Sequence, residues 1–67
     1  MKILFIGDIV GKSARETVKQ RVSDLKSKYS LDVIIANAEN ATGGFGLSKK
    51  DANELFASGI DVLTLGN

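Results

Sequence analysis

Asp32-Val33-Ile34-Ile35-Ala36 is a near-continuous apolar run rich in β-branched residues. It lacks the apolar-polar alternation of a half-exposed strand and fits a strand covered on both faces, as in a parallel sheet. Outward from it lie two companions, Lys2 to Ile6 upstream and Asp61-Val62-Leu63-Thr64-Leu65 downstream, the latter also near-continuous. Two longer amphipathic stretches separate the three runs. That alternation predicts an α/β fold, βαβαβ with a parallel sheet.

In the first interval, Ser13 followed by Glu16 has the spacing of a capping box and predicts a helix starting there. Val18, Val22, Leu25 and Tyr29 then form one apolar stripe at helical spacing, expected to pack in the core, with Lys19, Arg21, Lys26 and Lys28 around the rest. In the second interval, Ser48 with Asp51 three residues on reads as a helix cap. Ala52, Leu55 and Phe56 share a face, and Gly59 marks a stop in the left-handed conformation. There is no internal repeat, low-complexity tract or linker.

Composition narrows the chemistry. The 67 residues are 43% hydrophobic and 25% charged, within the range of ordinary globular domains, and one small folding unit is the upper limit. A chain this short buries only about 60% of the surface its unfolded form exposes. With no cysteine and no histidine, thiolate and imidazole ligands are excluded, so any bound metal rests on oxygen. Nine Lys and Arg against eight Asp and Glu leave no electrostatic footprint for nucleic acid or anionic membrane. The opening apolar run ends at Gly7-Asp8, too early for a secretory signal, and nothing approaches a membrane span; the expected location is the cytoplasm.

In open parallel sheets, function gathers beyond the carboxyl ends of the strands. Three loops lie there: Gly7-Asp8-Ile9-Val10-Gly11, Asn37-Ala38-Glu39-Asn40-Ala41 and Gly66-Asn67. Each offers hard oxygen donors, namely Asp8, then Glu39 and Asn40, then Asn67. Together they suit Mg²⁺, Mn²⁺ or iron, and a carboxylate can bridge a metal pair. Singly each has an ordinary explanation as a turn former, loop cap or solvated residue; their common edge is what points to a metal site. Gly43-Gly44-Phe45-Gly46 reads first as a tight or flexible loop.

Gly7 to Ser13 also invites comparison with a nucleotide-binding P-loop, because a strand, glycines and Gly-Lys-Ser opening a helix occur in order. The spacing fails, since that motif needs four residues between its glycines and Gly7 and Gly11 enclose three. A nucleotide-binding module centred on Lys12 stays as an alternative, beside a structural fragment that binds nothing.

As a set, Ile3-Leu4-Phe5-Ile6-Gly7-Asp8-Ile9-Val10-Gly11, Asn37-Ala38-Glu39-Asn40-Ala41 with Gly44 and Gly46-Leu47, and Ser58-Gly59 leading to Thr64-Leu65-Gly66-Asn67 resemble the opening of the YmdB-like metallophosphoesterases. These are calcineurin-like relatives that include 2′,3′-cyclic-nucleotide 2′-phosphodiesterases. The resemblance implies that residues 1–67 are the N-terminal part of a single, longer metallophosphoesterase domain. It implies two metal ions of iron, manganese or magnesium, with Asp8 binding one, Glu39 bridging both, Asn40 on the first and Asn67 on the second. It further implies a phosphodiester substrate such as a cyclic nucleotide. The expected proton donor is a histidine just after Asn67, outside this chain, so no catalytic residue lies within it and the chain alone is expected to be inactive. A homo-oligomer stays open.

Overall fold

The computed structural model describes residues 1–42 and 46–65. Its elements run β1 (Ile3–Asp8), α1 (Gly11–Tyr29), β2 (Val33–Asn37), α2 (Lys49–Ser58) and β3 (Val62–Thr64), the predicted βαβαβ order. The three strands form one sheet in the order β1-β2-β3, and both pairings are parallel.

Sequential parallel strands joined by crossovers of the same hand place both helices on one face of the sheet. The helices accordingly touch: Lys19 Nζ of α1 lies 3.0 Å from Glu54 Oε1 of α2. The buried core is built from Ile34 and Ala36 of β2, Val22 of α1, Leu55 of α2, and Ile9 and Ile60 beside them. Leu4, Ile6 and Leu63 pack against it from the neighbouring strands. Adjacent strand residues point to opposite faces, so the other set lies away from the helices. Ile3 and Phe5 are 56% and 60% exposed there. On β3 Val62 is 44% exposed, and on β2 Val33 and Ile35 are only partly buried, so the expectation that these two strands are covered on both faces is not met in this chain, where one-sided crossovers supply a single cover layer.

Helix α1 starts at Gly11, two residues before Ser13, and Val10 caps it with no side-chain hydrogen bond. The capping box does not form: Ser13 lies inside the first turn, and Glu16 pairs instead with Lys19 at 3.2 Å. The reason is tertiary. Gly11 takes a φ of +77°, and its N–H, an orphan donor at any helix start, donates to the carbonyl of Asn40 at 3.2 Å. Of the predicted stripe, Val22 is fully buried and Val18 packs on the core, but Tyr29 at the last turn is half-exposed under Lys28 Nζ.

Helix α2 follows its sequence signals more closely. Ser48 Oγ accepts from Asp51 N at 3.1 Å. Gly59 ends the helix at φ +121°, positive as expected though wider than the left-handed helical value, and its N–H returns to the Leu55 and Phe56 carbonyls. Leu55 is buried, whereas Phe56 is exposed despite its place beside it. Among the described residues no helix is long and apolar enough to cross a membrane.

Candidate metal centre

The carboxyl ends of β1 and β2 meet in an irregular pairing. Ile6 is level with Ala36, but the next partners are Asp8 and Asn37, so Gly7 is an extra residue on β1 and the ladder carries a bulge. Beyond the bulge the two loops are stitched by backbone. Ile9 N donates to Asn37 O at 3.0 Å and Gly11 N to Asn40 O at 3.2 Å. From the other side, Ala38 N donates to Thr64 O of β3 at 2.8 Å.

The turn after β2 is fixed by its own sequence. Asn37 Oδ1 accepts from Glu39 N at 3.1 Å, an Asx turn of the kind asparagine favours. Ala38 and Ala41 are fully buried and bracket Glu39 and Asn40, which stay partly exposed between them. Small side chains anchor the turn from below while polar ones remain at the rim. Asn40 Nδ2 then donates to Asp8 Oδ2 at 3.2 Å, which leaves the carboxamide oxygen of Asn40 outside that bond.

Three of the four predicted ligands thus belong to one corner: Asp8 and Asn40 in direct contact, and Glu39 adjacent to Asn40 in the same turn. The fourth, Asn67, lies outside the described residues, as do residues 43–45 of the glycine cluster that runs from 43 to 46. β3 runs parallel to β2, with Thr64 level with Asn37 at the same end of the sheet.

Two carboxylates and a carboxamide oxygen are hard donors that fit Mg²⁺, Mn²⁺ or iron. No salt bridge engages Asp8 or Glu39 among the described residues. Nor do three or more His, Cys, Asp or Glu side chains gather there in metal-binding geometry among those residues, so the donor set fits part of a coordination shell rather than a whole one. The P-loop alternative finds little room. The Ile9 and Gly11 amides, which a phosphate would need, are already committed to carbonyls, and Lys12 sits exposed in the first turn of α1.

Behind the corner lies a second group that local sequence patterns did not single out. Asp51, in the first turn of α2, is 8% exposed. Its Oδ2 accepts from Thr42 Oγ1 at 2.6 Å, and its Oδ1 lies 3.4 Å from Arg15 Nε of α1. Arg15 Nη1 also donates to the Ala41 carbonyl, and Thr42 Oγ1 accepts from Ser48 N at 2.9 Å. The Thr42 hydroxyl, helped by Ser48 and by the charges of Arg15 and Lys50, holds the Asp51 carboxyl below the usual carboxylate range against the opposing effect of desolvation. In sequence Asp51 reads only as part of the Ser48 cap, and its amide does serve there; the carboxylate's partners come from other elements.

The model of the YmdB-like protein family matches residues 4–67. The 2′,3′-cyclic-nucleotide 2′-phosphodiesterase of Bacillus subtilis is 49% identical over all 67 residues, which make up 25% of its length. Among solved structures, a phosphatase from Mycoplasma pneumoniae superposes with a TM-score of 0.94 at 45% identity, covering 100% of this chain and 24% of that one. A protein from Thermus thermophilus superposes with a TM-score of 0.89 at 37% identity, covering 26% of its chain. The chain therefore spans about a quarter of the length of the proteins it matches.

Proposed function

This chain belongs to the YmdB-like family, and from that premise we propose that it supplies the N-terminal ligands of a metal-dependent phosphodiesterase acting on phosphodiesters such as 2′,3′-cyclic nucleotides. Relatives over this region are named phosphatase or phosphodiesterase, which supports a hydrolase as the coarser reading. The observation that carries the finer one is the Asn40–Asp8 hydrogen bond, since it joins donors from two separate loops at one sheet edge.

In this reading Asp8, Glu39, Asn40 and Asn67 hold two metal ions of iron, manganese or magnesium. When bound, such ions supply Lewis acidity toward a phosphoryl oxygen and lower the pKa of water. The chain's own residues act by placement and charge. Asp8 and Glu39 offset part of the cationic charge, the Asx turn at Asn37 orients Glu39, and the Asn40–Asp8 contact keeps the two loops together. Protonation of the leaving alkoxide falls to a group outside these 67 residues. The chain alone, with part of the ligand set, is expected to be inactive.

The test is Glu39→Gln in the full-length protein, with metal content and phosphodiesterase turnover measured together. Loss of both is expected, because the substitution removes charge while keeping shape. Unchanged metal content and unchanged turnover would discard the reading.

A further inference from the structure

The Arg15–Thr42–Asp51 group takes no part in the donor set, yet it ties the turn that carries Glu39 and Asn40 to both helices. Arg15 holds the Ala41 carbonyl, Asp51 holds the Thr42 hydroxyl, and Ser48 N donates to the same hydroxyl. On the other flank Gly11 N holds the Asn40 carbonyl. The turn is thus gripped at three successive residues, 40, 41 and 42, from the start of α1 and the start of α2. Within the turn, Ala41 N donates to Ala38 O at 3.1 Å and Glu39 N to Asn37 Oδ1 at 3.1 Å.

We infer that Arg15, Thr42 and Asp51 are positioning residues that set the cation affinity of the Glu39–Asn40 turn; this rests on the metal reading above. The physical argument is one of geometry. A cation ligand must be held near its productive position before binding, and the residues that orient a ligating group govern affinity without touching the ion. Asp51 is suited to this because it is nearly buried, accepts a hydrogen bond from a hydroxyl and pairs with a guanidinium, so its place is over-determined. Arg15 spans the gap by using two different nitrogens, one on the carboxylate and one on the Ala41 carbonyl, a fork that lysine does not reproduce. The Thr42 hydroxyl serves as donor to Asp51 and acceptor from Ser48 at once, so its removal breaks two links together.

The test measures Mn²⁺ affinity of the full-length protein by titration, well below the melting temperature of each variant, for Arg15→Lys, Thr42→Val and Thr42→Ser. Thr42→Val and Arg15→Lys are expected to weaken Mn²⁺ binding by about 10-fold or more. Thr42→Ser, which keeps the hydroxyl, should restore the native affinity. Glu54→Ala, which breaks the α1–α2 ion pair away from the turn, serves as a control that lowers stability alone and leaves affinity unchanged. If Glu39→Gln weakens Mn²⁺ binding while Arg15→Lys and Thr42→Val do not, the positioning role is overturned and the metal reading survives. Equal weakening by Glu54→Ala would also overturn it, since a general loss of rigidity would then suffice. If Glu39→Gln has no effect on Mn²⁺ binding, the metal reading itself fails and the inference fails with it.

Discussion

Asn40 donates its side-chain amide to the carboxylate of Asp8 at 3.2 Å, joining residues 32 positions apart at the carboxyl edge of two parallel strands. The contact is exposed, so it adds little to stability, and its importance lies in which groups it brings to the same rim.

Asp8→Asn separates those two roles. The residue is exposed, and replacing it keeps size while removing a negative charge near Glu39. Stability of the metal-free protein should stay within about 0.5 kcal/mol of the parent, as for other exposed positions. Bound metal should fall sharply in the same samples. Denaturant midpoints alongside metal analysis check both, and a large loss of stability would show that Asp8 is structural.

Gly59→Ala should destabilise the fold by about 1 kcal/mol or more. A side chain at φ +121° is strained, and the added Cβ would stand 3.1 Å from Val22 Cγ1, a methyl in the core. Equilibrium unfolding in urea reads the shift. An unchanged midpoint would mean that the α2 end relaxes without cost.

Asp51 gives the stability a defined acid limit. Its folded pKa lies below the ordinary value of 3.8, chiefly through the Thr42 hydrogen bond. A depressed carboxyl contributes stability that is fully present above the unfolded value and is lost as pH falls through the folded one. The difference in melting temperature between the parent and Asp51→Asn should therefore be constant from neutral pH down to about pH 5 and shrink below 3.8. A difference that grows on acidification would contradict the assignment.

The open sheet face predicts the behaviour of the 67-residue chain in isolation. Ile3, Phe5 and Val62 are exposed on strands of the sheet, and contiguous apolar surface of that kind invites association and dye binding. Phe5→Thr puts a β-branched, strand-favouring residue on β1 while removing the largest exposed side chain of that strand. Fluorescence of the dye ANS should drop with little change in helix content by circular dichroism; equal fluorescence in parent and variant would argue against an open face.

Element order, parallel pairing and the α2 boundaries were legible in the sequence because each depends on neighbours along the chain. Ser48, Asp51 and Gly59 carry their own geometry, and the apolar runs announce strands by composition. The start of α1 was not legible, since its first N–H is satisfied by Asn40, a partner nearly thirty residues away that no local pattern encodes. Ser13 and Glu16 had the right spacing for a cap but lost to that bond. The open face was missed for a similar reason: β2 is apolar on both sides, yet whether both are covered depends on the hand of the crossovers and on what else packs there. The common corner of Asp8, Glu39 and Asn40 was legible because loop ends of parallel strands are predictable places, whereas Arg15 and Thr42 came into view only once α1, α2 and the turn were seen together.

Gly7 has a quieter effect. In a regular ladder Gly7 would stand opposite Asn37, and Asp8 would inherit the side of the sheet that Leu4 and Ile6 occupy, under the helices. The surplus residue inverts the parity of β1 at its last step, so the carboxylate escapes the apolar layer and arrives beside Asn37 instead. The same residues in a ladder without the bulge would leave every side chain of the rim chemically intact and turn the first of them inward.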